Sequence, residues 1–183
     1  MKRAIIVHGW DGNPNNHWFP WLKNKLNEKG FEVHTPFMPG GENPKLEEWL
    51  QVISDIVGKA DKDTYFIGHS LGCITIVKYL ESLAKNTKIG GCIFVAGFSF
   101  SQFKEIKDFY RRNFDINKVK EHCDNFTCIY SDNDKGISVK VSEEFADLLE
   151  ARKILLKGKG HFTKDDGVTE LSSALKELLE MSE

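Results

Sequence analysis

Thr64-Tyr65-Phe66-Ile67-Gly68-His69-Ser70-Leu71-Gly72 is the stretch that decides the fold of this chain. A short apolar run leads into G-x-S-x-G, and Leu71, Ile74, Val77, Tyr79, Leu80 and Leu83 then recur at helical spacing over Leu71 to Ala84. Strand, glycine-flanked serine and helix, in that order, are the setting in which this motif makes a sharp turn that holds a serine hydroxyl above a sheet. Side chains at the two glycine positions would collide with neighbouring backbone in such a turn. Composition alone gives the three fixed letters in about 6% of chains of this length, so the flanking strand and helix carry the argument. The plain alternative is a serine that only caps its helix, with the glycines serving a tight turn.

Working outward, the same alternation recurs. Ala4 to Val7 is an apolar run ended by His8-Gly9, as in a strand buried on both faces of a parallel sheet. Trp18, Trp21, Leu22 and Leu26 mark a helix within His17 to Lys29, with Gly30 at its carboxyl-terminal cap. Phe31 to Thr35 reads as a strand, the 36–41 stretch as a breaker-rich loop, and Lys45 to Val57 as a helix. Further strands are expected at Gly91 to Ala96, Phe126 to Tyr130 and Lys153 to Leu156, and helices near Phe103 to Arg112, Val139 to Glu150 and Gly167 to Leu179. About six βα units fill residues 1–183 as one expected α/β domain, a three-layer sandwich around a mostly parallel sheet of about six strands.

Bulk properties narrow the function classes. The 25 basic and 27 acidic residues of the 183 nearly cancel, without a long block of one sign, which argues against binding driven by a nucleic-acid backbone. Ala4 to Val7 is too short for a signal-peptide core, and no apolar run approaches the roughly 20 residues that cross a bilayer. Cys73, Cys92, Cys123 and Cys128 lack C-x-x-C spacing and read as reduced thiols of a cytoplasmic protein. Neither H-E-x-x-H nor a glycine-rich nucleotide loop occurs, so no metal or cofactor is expected.

A serine hydroxyl needs a base, and sheets of this kind gather function beyond the carboxyl ends of their strands. Of six histidines, His161 sits in the Lys157 to Phe162 loop after the last expected strand, which suits the chain order Ser, Asp, His. His69 should point into the turn, His8 ends the first strand, His17 begins a helix, and His34 and His122 lack a motif. The orienting carboxylate falls in Ser131-Asp132-Asn133-Asp134. Asp134 is preferred because Ile137 can pin its loop, with Asp132 the alternative. Leu71 N–H, at a helix amino terminus, and Trp10 N–H, in the turn after the first strand, are the candidate oxyanion donors. Trp18, Trp21 and Trp49 are expected in the core.

These motifs resemble the family of small serine hydrolases that includes retinoblastoma-binding protein nine and its bacterial relatives. The resemblance spans nearly the whole chain. Besides Gly68 to Gly72 it covers the turn after His8-Gly9, His17-Trp18-Phe19-Pro20-Trp21-Leu22, Met38-Pro39, Trp49, Ser131 to Asp134 and Gly160-His161-Phe162. It implies a compact α/β-hydrolase fold lacking the first two strands of larger members, with Ser70, Asp134 and His161 as triad. Asn133 and Gly136-Ile137-Ser138 depart from the family pattern, and the L-x-C-x-E segment credited with a pocket-protein contact is absent. The expected activity is hydrolysis of an ester, thioester or amide of a small or short-acyl substrate, without cofactor. The competing reading is an inert binding scaffold that retains the fold.

Overall fold

The computed structural model describes residues 1–100, 103–111 and 113–183. Six strands, β1 (Arg3–Val7), β2 (Glu32–His34), β3 (Thr64–His69), β4 (Gly91–Val95), β5 (Phe126–Ser131) and β6 (Arg152–Leu156), pair in parallel in the order β2-β1-β3-β4-β5-β6. Among the described residues there are six α-helices: α1 (Phe19–Glu28), α2 (Leu46–Val57), α3 (Leu71–Glu81), α4 (Ile116–His122), α5 (Val139–Leu149) and α6 (Ser172–Met181).

Alternation along the central strands sorts the core into two layers. Ile5, Val7, Phe66 and Phe94 face α2 to α5, packing with Trp49, Ile53, Val77, Val119 and Phe145. Ala4, Ile6, Ile67, Ile93 and Val95 face α1 and α6, packing with Trp18, Leu22, Leu26, Ala174 and Leu178. Trp18 and Trp49 are buried as expected, while Trp21 only packs at the edge.

The helices after β1 and β3 therefore lie on opposite faces of adjacent strands, with Val7 paired to Gly68. A crevice opens at the carboxyl ends of two strands where the winding reverses, and open α/β sheets bind ligands there. The described helices are all too short or too polar to cross a membrane.

The expected elements recur with small shifts, and the departures have local causes. Where a helix near Phe103 to Arg112 was expected there is one 3₁₀ turn, Lys107–Tyr110, and Arg112 lies outside the described residues. The unexpected α4 has seven residues, too few for periodicity to stand out. Its start is nonetheless signalled by Asp115, whose carboxylate accepts from Asn117 N and Lys118 N. The last helix begins at Ser172 rather than Gly167, because Thr163 to Val168 closes its own turns through Asp166 N and Val168 N to Thr163 O.

Candidate active site

Ser70 stands between β3 and α3 with φ 53 and ψ −120, a left-handed backbone that costs a residue with a side chain about 1–3 kcal/mol. The surroundings over-determine it. A Cβ at Gly72 would lie 2.3 Å from Val7 O and 2.7 Å from His8 O, and one at Gly68 would lie 2.8 Å from Cys73 Cα. Both glycines let α3 sit directly against the sheet. Ser70 N donates to Val95 O at 2.9 Å, which ties the turn to β4 as well. Leu71 is the first residue of α3, so its N–H has no acceptor within the helix and lies at the positive end of the helix dipole.

The other wall of the crevice follows β1. A Cβ on Gly9 would meet Ser70 Cβ at 2.9 Å, so the Gly9 to Gly12 turn lies against the serine. That turn closes through Gly12 N to Gly9 O, which leaves Trp10 N–H outside its hydrogen bond. The Trp10 ring packs 5.7 Å from Phe103, and its Nε1 donates to Glu42 O.

From the far side come two loops. His161, after β6, places Nε2 3.0 Å from Ser70 Oγ and Nδ1 2.7 Å from Asp134 Oδ2. The Asp134 side chain, after β5, is only 2% exposed, and its Oδ1 accepts from Gly136 N and Ile137 N. Both carboxylate oxygens are thus engaged, one holding its own loop and one the imidazole. Asp132 is exposed and reaches Gly158 N instead. The structure accordingly brings Ser70, His161 and Asp134 into one chain of hydrogen bonds and leaves Asp132 outside it.

His161 is held from two further directions. Its N–H donates to Asp166 Oδ2 at 3.0 Å, and its carbonyl accepts from His69 Nε2 at 2.8 Å. His69 is wholly buried, and desolvation drives its pKa well below the usual histidine value, so the ring is a neutral donor from Nε2. This contact was not legible beforehand, since nothing in the letters Gly68-His69-Ser70 indicates a partner 92 residues away. His8 is likewise buried with a lowered pKa and accepts from Met38 N, clamping the 36–39 loop to the end of β1. His17 Nδ1 accepts from Lys164 N at the start of α1.

The cysteines offer no rival nucleophile among Cys73, Cys92 and Cys128. Burial pushes the first two thiols well above their ordinary pKa and Cys128 up to about 12. A cleft of about 770 Å³ opens elsewhere, between α2, α3 and Asp108, Arg111, Asn113 and Lys118, and none of Ser70, Asp134 and His161 lines it.

Comparison with known proteins gives the family of the chain. The family model described as "Serine hydrolase" matches residues 4–180. YdeN of Bacillus subtilis (strain 168) is 34% identical over 93% of this chain and 90% of its own. The crystal structure of the B. subtilis ydeN gene product superposes with a TM-score of 0.94, covering 99% of this chain and 98% of that one. The serine hydrolase RBBP9 of Rattus norvegicus is 25% identical over 97% of this chain and 95% of its own. Est1E from Butyrivibrio proteoclasticus, 16% identical with a TM-score of 0.75 and covering 99% and 88%, shares the fold. On the match over nearly its full length and on these relatives, the chain belongs to the serine hydrolase family.

Proposed function

We propose that this protein hydrolyses an ester, thioester or amide of a small or short-acyl substrate through an acyl-enzyme on Ser70. The observation that carries this reading is the continuous line from Ser70 Oγ through His161 to the buried Asp134 carboxylate, at 3.0 and 2.7 Å. His161 Nε2 takes the serine proton as Oγ attacks the carbonyl carbon, and Asp134 holds the Nδ1–H tautomer and stabilises the imidazolium. The oxyanion sits between Leu71 N–H and Trp10 N–H, which the α3 amino terminus and the turn after β1 supply from opposite walls of the crevice. The imidazolium then protonates the leaving group, and water, deprotonated by the same base, releases the acid and regenerates Ser70.

Substrate size is argued from what covers the site. The described part of the insertion between β4 and β5 buries Ile106, Phe109 and Val119 in the α2 to α5 layer, which ties those residues to packing and supports a small substrate. Four free thiols, Cys73, Cys92, Cys123 and Cys128, fit a reducing, cytoplasmic setting.

Hydrolysis of p-nitrophenyl acetate and butyrate by folded wild type, Ser70→Ala, His161→Ala and Asp134→Asn tests the mechanism. The first two variants should lose about four orders of magnitude or more in kcat, and Asp134→Asn about 10⁴. Ser70→Ala as active as wild type would sink the proposal. Failure of a fluorophosphonate to label Ser70 would move the protein to the inert-scaffold reading.

A further inference from the structure

Four consecutive residues at the end of β5 each hold one of four consecutive residues after β6. Asp132 Oδ1 accepts from Gly158 N at 2.8 Å, and Ser131 Oγ accepts from Lys159 N at 2.9 Å. Asn133 Oδ1 accepts from Gly160 N at 2.7 Å, and Asp134 Oδ2 from His161 Nδ1 at 2.7 Å. Ser131 is buried and also donates its hydroxyl to Asn133 Oδ1 at 2.8 Å, which joins the two central contacts into one unit.

The loop needs such a restraint. Gly158 and Gly160 both take left-handed φ, 67 and 52, and a glycine-rich segment has more freedom to lose than any other. No strand pairing reaches these residues, since the β5–β6 ladder ends at Ser131 and Leu156. Three successive N–H groups, of Gly158, Lys159 and Gly160, are instead accepted by side chains.

We infer that Asn133, coupled to Ser131, is a positioning residue for the base: its Oδ1 fixes Gly160, and through Gly160 the distance from His161 Nε2 to Ser70 Oγ. Asn133 touches neither Ser70 nor the His161 ring by any of these bonds and uses only its acceptor oxygen. An aspartate in its place keeps that acceptor. An alanine removes both contacts and leaves Gly160, the residue next to His161, without its acceptor, while Gly158 and Lys159 keep theirs. Displacement of a reacting group by about 1 Å costs about 10²-fold in rate, so partial loosening should cost about tenfold.

This inference rests on the Ser70, His161, Asp134 reading, so its test has two arms. Steady-state hydrolysis of p-nitrophenyl acetate per folded molecule should show Asn133→Ala losing about tenfold in kcat with KM within about twofold, and Asn133→Asp recovering most of that loss. Ser131→Ala should lose part of what Asn133→Ala loses, because Lys159 N–H is left without its acceptor and Asn133 Oδ1 keeps Gly160 N but loses the hydroxyl that orients it. The second arm is the low-field proton NMR signal of His161 Nδ1–H, sharp in wild type and broadened in Asn133→Ala, whatever the turnover. Asn133→Ala with wild-type kcat, or Asn133→Asp as slow as Asn133→Ala, overturns the inference. Wild type without Ser70-dependent turnover rejects the triad reading instead. In that case an unchanged His161 signal in Asn133→Ala overturns the positioning role, and a broadened one upholds it.

Discussion

The site is assembled from two halves built on different physics. The elbow, Gly68 to Gly72, is held by steric exclusion: ten of the eleven residues of α3 are buried, and a Cβ at Gly72 would overlap backbone oxygens of β1. The arm, residues 131–134 with 157–161, is held by side-chain hydrogen bonds on loops, and a Cβ at Gly158 would meet nothing within 4 Å. One half fixes Ser70, the proposed nucleophile, rigidly against the sheet. The other presents His161, the proposed base, about 31% exposed, on a segment whose restraints are polar and individually modest. The proposed mechanism needs a fixed nucleophile and a base able to exchange protons with substrate and water, and the two constructions match those needs.

The comparison breaks first at the glycines. Gly72→Ala must push α3 away from Val7 O and His8 O, which are backbone atoms that cannot swing aside. Overpacking of this kind should cost about 3 kcal/mol and separate Ser70 from the turn after β1, with activity down at least about 10²-fold. Gly158→Ala, at φ 67 in open space, should cost only about 1 kcal/mol through its left-handed backbone and leave activity largely in place. Urea unfolding with parallel assays measures both. Equal losses would mean that the arm is as sterically determined as the elbow.

Legibility in the sequence follows the same division. Gly68-x-Ser70-x-Gly72 was readable because close approach of backbones admits only glycine, so the constraint is written in residue identity. The buried strands were readable because their apolar runs have no other explanation in a chain of ordinary composition. His161 and Asp134 were reachable through chain order and the pinning Ile137, and the structure brings both to Ser70. The roles of His69, Ser131, Asn133 and Asp166 were not legible. Serine, asparagine and aspartate bond to backbone in most turns, and only the three-dimensional register of two loops says which N–H each one meets. The short α4 escaped for a related reason, with its cap visible at Asp115 and its apolar face only two residues long, Ile116 and Val119.

Acid should expose the buried imidazoles that lie between the two halves. His69 is driven well below its ordinary pKa by desolvation, and His8 and His17 are lowered for the same leading cause. A base whose pKa is lower when folded leaves the unfolded chain holding the extra proton. Stability is therefore complete above the unfolded histidine value of about 6.5 and falls as pH drops from there toward the folded values. For His69 the slope should approach about 1.4 kcal/mol per pH unit. Unfolding measured at pH 8, 6 and 5 checks it, and His69→Gln, which can still donate to His161 O, should flatten the profile. A flat wild-type profile would mean that His69 is not buried as a neutral ring.

The smallest effect is also the sharpest test within the arm. Asp132 and Asp134 are two residues apart on one loop, yet their carboxylates meet different kinds of partner. Asp132 accepts only from a backbone N–H, at Gly158, and an asparagine there still presents an oxygen to that N–H. Asp134 accepts from two backbone N–H groups through Oδ1 and from His161 Nδ1 through Oδ2, so an asparagine must turn its amide nitrogen toward one set of donors. If Oδ1 keeps Gly136 and Ile137, the amide faces Nδ1–H and forces the imidazole into the wrong tautomer to act as base. Asp132→Asn should therefore stay within about twofold of wild type in kcat, while Asp134→Asn falls by about 10⁴. Collapse in both variants would show that the loop responds to charge as a whole. Collapse in Asp132→Asn alone would reverse the roles of the two carboxylates and place the orienting charge at the outer edge of the arm.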